Sequence, residues 1–168
     1  LLAFLILLLI SSLRYADKAM KPSRVGTYTR TAFLRWRDQI QGLEDKIDIY
    51  QRYNYPNPPI MALILWPLTE LPPLVGAMSW FYLKVLMVGL SFLWAFRLAR
   101  QQGQPLPIWG RWLAVIFSLH PILGDLSHGN VNIFIAFLVM AALELFRRGH
   151  DLSSGIVMAL AVACKVTP

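Results

Sequence analysis

Four consecutive residues, Arg35-Trp36-Arg37-Asp38, place a carboxylate beside two guanidinium groups and an indole. Guanidinium groups suit phosphate, and neighbouring arginines keep a carboxylate ionised and able to take a proton. An indole offers a flat face on which a sugar ring packs. Asp38 is therefore the first candidate base. Asp17, just beyond an apolar run, and Asp48, two residues before Tyr50, are the alternatives. A plainer reading of the same stretch is an interfacial amphipathic helix, with Phe33, Leu34, Trp36 and Ile40 toward lipid and the charges toward water.

Three further groups carry polar chemistry in an apolar sequence. Tyr50, Tyr53 and Tyr55 lead into Pro56-Asn57-Pro58-Pro59. Prolines hold backbone extended, and tyrosines favour the membrane–water boundary. A rigid, aromatic, half-wet segment suits an enzyme acting on a lipid headgroup, and Tyr55, Pro58 and Pro59 are candidate substrate contacts. His120-Pro121 and the run Asp125-Leu126-Ser127-His128-Gly129-Asn130-Val131-Asn132 form a second polar cluster. Here His128, Asn130 and Asn132 could touch substrate, or Asp125 and Asn130 could cap a helix. His120 and Asp125, five apart across a proline and a glycine, imply no helical metal-ligand face. Neither metal nor cofactor is expected. Lys84 and Lys165 are charges inside apolar segments, where a lysine has a partner, lines a wet cavity or snorkels.

These residues need elements to hold them, and composition says which. The chain is 57% hydrophobic and 15% charged, with mean hydropathy +0.51 and net charge +7. A soluble domain of 168 residues cannot bury so much apolar surface, so an integral membrane protein is expected. The basic residues are scattered between apolar segments without a nucleic-acid motif, which excludes nucleic acid and favours anionic lipid or a phosphate-bearing substrate. A single cysteine, Cys164, excludes a disulfide framework.

The expected fold class is all-α, a polytopic membrane helix bundle with interfacial or re-entrant helices in the first outer loop. One membrane domain is read as a truncated helix over 1–13, an outer loop with an amphipathic helix over 14–59, and an interfacial or re-entrant helix over 60–71. Spanning helices follow at 74–98, 106–122 and 130–146, with a truncated one at 153–168. Residues 60–71 make about 18 Å of helix, too little for a hydrocarbon core near 30 Å. Arg97, Arg100, Arg111, Arg147 and Arg148 fall together on one side if 60–71 does not cross, as the positive-inside tendency requires. Residues 120–132 then share the outer face with the Tyr/Pro loop. The loop over 14–59 carries nine basic and five acidic residues, which by counting alone would favour the inside. Both ends lie in apolar runs, which reads as a fragment of a longer protein.

Three ordered motifs resemble glycosyltransferase family 87, the polyprenyl-phosphate-dependent mannosyltransferases among the C-type membrane glycosyltransferases. They are Tyr50 with Tyr55-Pro56-Asn57-Pro58-Pro59 and Leu65-Trp66-Pro67-Leu68, then Gly129-Asn130-Val131-Asn132. The third joins Arg147-Arg148-Gly149-His150, Ser154-Gly155 and Lys165-Val166-Thr167-Pro168. The resemblance implies a hexose, read as mannose, moved with inversion from a polyprenyl-phosphate donor to a lipid or glycan acceptor on the outer face of the cell membrane. It implies an acidic base in the first outer loop, and cations such as Arg35, Arg37 and Lys165 at the departing phosphate. The Asp usual in the family, about 18 residues before the tyrosine matched by Tyr50, is absent; Arg30-Thr31-Ala32 stands there. Two rivals follow: a catalytically inactive assembly subunit, and a transporter or channel-like protein with Lys84 and residues 120–132 lining a path.

Overall fold

The structure, a computed structural model, describes residues 2–21, 31–101 and 106–165. Among them all regular structure is α-helix: α1 (Leu2–Met20), α2 (Ala32–Gln41), α3 (Ile49–Tyr53), α4 (Pro59–Thr69), α5 (Pro73–Gln101), α6 (Ile108–His128), α7 (Asn132–Arg147) and α8 (Asp151–Cys164). Arg24, Arg30 and the motif residues Val166-Thr167-Pro168 lie outside the described residues.

Local chemistry sets the boundaries in the segment between α1 and α5. The Thr31 hydroxyl caps α2 by accepting the Leu34 N–H at 3.4 Å. The Asp48 carboxylate caps α3, accepting N–H groups from Tyr50 at 2.9 Å and Gln51 at 3.2 Å. Asn54 closes α3 in the left-handed conformation. Pro58 is extended, and Pro59 begins α4, where a missing N–H costs nothing. The prolines thus also start a helix.

Cross-helix contacts give the directions. Tyr15 of α1 packs on Phe81 of α5, with ring centroids 5.1 Å apart, and Ser12 bonds Tyr82 at 2.8 Å, so α1 and α5 are antiparallel. Lys18 reaches the Ser127 carbonyl at the end of α6. Lys165, after α8, bonds Asn132 at the start of α7, while Ser154 bonds the Ala142 carbonyl farther along. The C-terminal ends of α1, α6 and α8 therefore gather with the N-terminal ends of α5 and α7. The opposite end holds Glu144, bonded by both Arg147 and Arg148.

Two expectations are corrected. The residues read as a polar loop after Leu119 are the last turns of α6, which runs to His128 rather than stopping near 122. Pro121 removes one N–H donor, a loss that apolar helices tolerate, and the helix ends at Gly129 with φ +76°. The second correction concerns α2. Phe33, Leu34, Trp36 and Ile40 are buried in the protein core, facing neither lipid nor a sugar. They find partners in α4 and α5 because Gly76 lets these elements close up: a Cβ there would fall 2.4 Å from the Leu68 carbonyl and 3.3 Å from the Phe33 ring.

Pro73–Arg100, 28 residues, is the one helix among the described residues long and apolar enough to cross a membrane by itself; Pro59–Thr69 and Asp151–Cys164 are shorter apolar helices. Large apolar side chains are nevertheless exposed along α1 (Leu9, Leu13), α6 (Trp112, Phe117) and α8 (Leu152, Val162) as well as α5 (Leu86, Leu93).

Candidate functional site

The polar end is organised around a buried ion pair. Lys84, fully buried halfway along α5, donates to the Asp125 carboxylate at 3.0 Å, the Asp125 carbonyl at 3.0 Å and the Asn130 carbonyl at 3.2 Å. Its ammonium also lies 5.8 Å from the centre of the Trp80 ring, a cation–π distance. The other Asp125 oxygen accepts the Asn132 N–H at 3.2 Å, serving the exposed N-terminus of α7 that Val131 leaves uncapped. One lysine and one aspartate thus fix α5, the end of α6 and the start of α7 together. The pairing explains how a charge is tolerated at this depth.

The turn after α6 is packed as closely as its backbone allows. Trp80 Nε1 donates to the Gly129 carbonyl at 3.1 Å. A Cβ on Gly129 would meet the Tyr15 hydroxyl at 3.0 Å and the Thr31 Cβ at 3.4 Å, and its positive φ already disfavours a side chain. The Thr31 position, where the resemblance led us to look for an acid, is therefore beside the Asn130 turn. It holds a buried capping hydroxyl.

The sequence candidates are placed unevenly. Asn132 and Lys165 meet side chain to side chain across the α7–α8 seam. Asn130 joins the ion-pair network through its backbone carbonyl. His128 is exposed, with Nδ1 2.7 Å from the Gly124 carbonyl, which fixes the ring proton on that nitrogen. Arg37 is half-buried; it donates to the Leu71 carbonyl at 3.4 Å and stands 3.8 Å from Asp38. Arg35 and Asp38 are exposed on the outer face of α2. Arg35 approaches Lys18, which stands beyond the apolar part of α1; burial, with that guanidinium nearby, holds the Lys18 ammonium below its ordinary value. Asp17 is exposed and pairs with Lys21 at 2.5 Å.

Two candidates have structural duties. Asp48 caps α3. Tyr55 is buried edge-on between Trp36 and Tyr50, at 6.5 and 5.9 Å between ring centroids, and burial pushes its hydroxyl up to about 12. Tyr50 donates to the Asn57 carbonyl at 3.0 Å, bracing the segment before Pro58 and Pro59. No cluster of three or more metal-ligating side chains occurs among the described residues.

Sequence reasoning missed the Lys84–Asp125 pair, although its signal was available. Asp125 is the only acidic residue between Glu70 and Glu144, so a buried Lys84 had one acidic side chain to seek in that span.

An all-helical chain with exposed apolar helices and one polar, cation-bearing end is the build of a protein acting at a membrane face. The family model for glycosyltransferase family 87 matches residues 55–168, and the chain belongs to that family of membrane-associated glycosyltransferases. No curated protein and no solved structure gives a significant match.

Proposed function

We propose that this chain is part of an integral membrane enzyme that transfers a hexose, mannose, from a polyprenyl-phosphate donor to a lipid or glycan acceptor on the outer face of the cell membrane. Family membership over residues 55–168 is the observation that carries this reading. In it the protein crosses the membrane several times, with α4 lying in or on the outer leaflet and α2 and α3 above it. The exposed apolar side chains on α1, α6 and α8 support more than one embedded helix.

The reaction, in this reading, inverts at the anomeric carbon. A carboxylate takes the acceptor proton as the hydroxyl attacks, the glycosidic bond to phosphate breaks, and cations stabilise the departing lipid phosphate. Asp38 is the proposed base: it is exposed on the polar end, whereas Asp125 is committed to Lys84 and Asp48 to a helix cap. Lys165, presented by Asn132, and Arg35 are the proposed phosphate contacts. Incubating the full-length protein with polyprenyl-phosphate β-mannose should give an α-mannosyl product by NMR; a β-linked product or free mannose alone would exclude inverting transfer.

A second reading is favoured by one specific observation. Where the family's acid is usual, Thr31 is buried and caps α2, so an inactive assembly subunit is the alternative.

A further inference from the structure

The seam between α1 and α6 carries two adjoining hollows. One, of about 210 Å³, lies where α1, α5 and α6 meet, and its walls are apolar, Leu8, Val88, Phe92 and Ile122 among them. The other, of about 330 Å³, lies on the same seam closer to the polar end and is lined by Arg14, His120 and Ser127. Leu7, Ser11 and Leu123 line both.

We propose that this seam binds one polyprenyl monophosphate, its isoprenoid chain in the apolar hollow and its phosphate beside Arg14 and His120. The proposal rests on the donor class given above and deepens it by placing the donor lipid. Together the hollows fall within the roughly 300–1,000 Å³ usual for small-molecule sites. Three helices wall the apolar one, which suits a single chain rather than the pair of a phospholipid. The polar one supplies a guanidinium and an imidazole, the complement of a phosphate. One turn farther along α1, Lys18 with neighbouring Arg35 extends the positive charge toward the polar end. Phosphate at Arg14 would therefore lie below Asp38 and Lys165, with the sugar reaching upward.

Gly89 provides the test. It lines the apolar hollow, and a Cβ there meets nothing within 4 Å, so Gly89→Phe fills the hollow without disturbing backbone. The probe is a polyprenyl monophosphate bearing a benzophenone on its chain, irradiated with the full-length protein in nanodiscs. Labelling should fall on α1, α5 and α6 peptides. It should drop at least tenfold in Gly89→Phe and persist in Gly89→Ala, which controls for folding. Arg14→Met should weaken labelling about tenfold, but leave labelling by the matching uncharged polyprenol unchanged. Equal labelling in Gly89→Phe, equal labelling by polyprenol and phosphate in the unaltered protein, or displacement by equimolar phosphatidylglycerol would each overturn the site. The two proposals fail separately: seam labelling without mannosyl transfer removes the enzyme reading only, and transfer with labelling elsewhere removes this site only.

Discussion

Replacing Lys84 with Met tests whether the buried pair organises the polar end. Methionine keeps most of the apolar stem, so packing changes little, while three hydrogen bonds of 3.0, 3.0 and 3.2 Å vanish. Asp125, 8% exposed, is left with the Asn132 N–H as its remaining listed-distance donor at 3.2 Å. Removing one member of a buried pair typically costs about 3–5 kcal/mol. Protonation of the abandoned carboxyl relieves part of that, which puts Lys84→Met near the lower end. Asp125→Asn keeps an acceptor for the Asn132 N–H but strands the ammonium, at similar cost. Because each single change exposes the same lost pair, the double variant should be less destabilised than the sum, by about 2 kcal/mol. Unfolding of the full-length protein in mixed micelles by added SDS, followed by tryptophan fluorescence, reads this, and Trp80 lies within the network. Single-variant losses that add within about 0.5 kcal/mol would refute the coupling.

Four other outcomes are expected. Cysteines at Gln51 and Val75, both exposed, should react with an impermeant thiol reagent from outside, and one at His150 only from inside; Val75→Cys labelled only from inside would mean that α4 crosses. Asp38→Asn should lower transfer on the order of 10²–10⁴-fold with protein abundance unchanged. Wild-type turnover in Asp38→Asn with loss in Asp17→Asn moves the base to Asp17. Lys165→Met should raise KM for the polyprenyl donor or lower kcat, and unchanged kinetics would leave Lys165 a snorkelling residue. The raised Tyr55 value means the folded chain keeps a proton that the unfolded chain, titrating near 10, gives up. The stability this contributes is present below pH 10 and lost as pH rises toward 12. Tyr55→Phe should therefore lose less stability than the unaltered protein between pH 9 and 11 in thermal melts, and parallel curves would contradict that.

Helix identity was legible in the sequence where apolar runs were long, and less so where local signals conflicted. Pro121 and Gly124 are ordinary breakers, yet α6 passes through both, because packing against α1 and α5 outweighs one lost hydrogen bond. Trp36 was expected at lipid or sugar because an amphipathic pattern reveals an apolar face without naming what covers it. Here α4 and α5 cover it, through a close approach at Gly76 that only the folded backbone displays. The pairing of Lys84 with Asp125 spans 41 residues, beyond any periodicity, although the scarcity of acids in that span pointed to it. Asp48 could have been read as a cap from its place just before Ile49–Tyr53. The motif order was the most informative feature for function, since it led to the family matched over residues 55–168.

Donor choice tests the central claim most directly. Membranes containing the full-length protein would be given radiolabelled polyprenyl-phosphate mannose or nucleotide-activated mannose in parallel, with endogenous synthesis of the polyprenyl donor blocked. Label should enter acceptor from the polyprenyl donor alone and disappear with Asp38→Asn. Transfer from the nucleotide donor alone would contradict the account, and so would an absence of transfer from either.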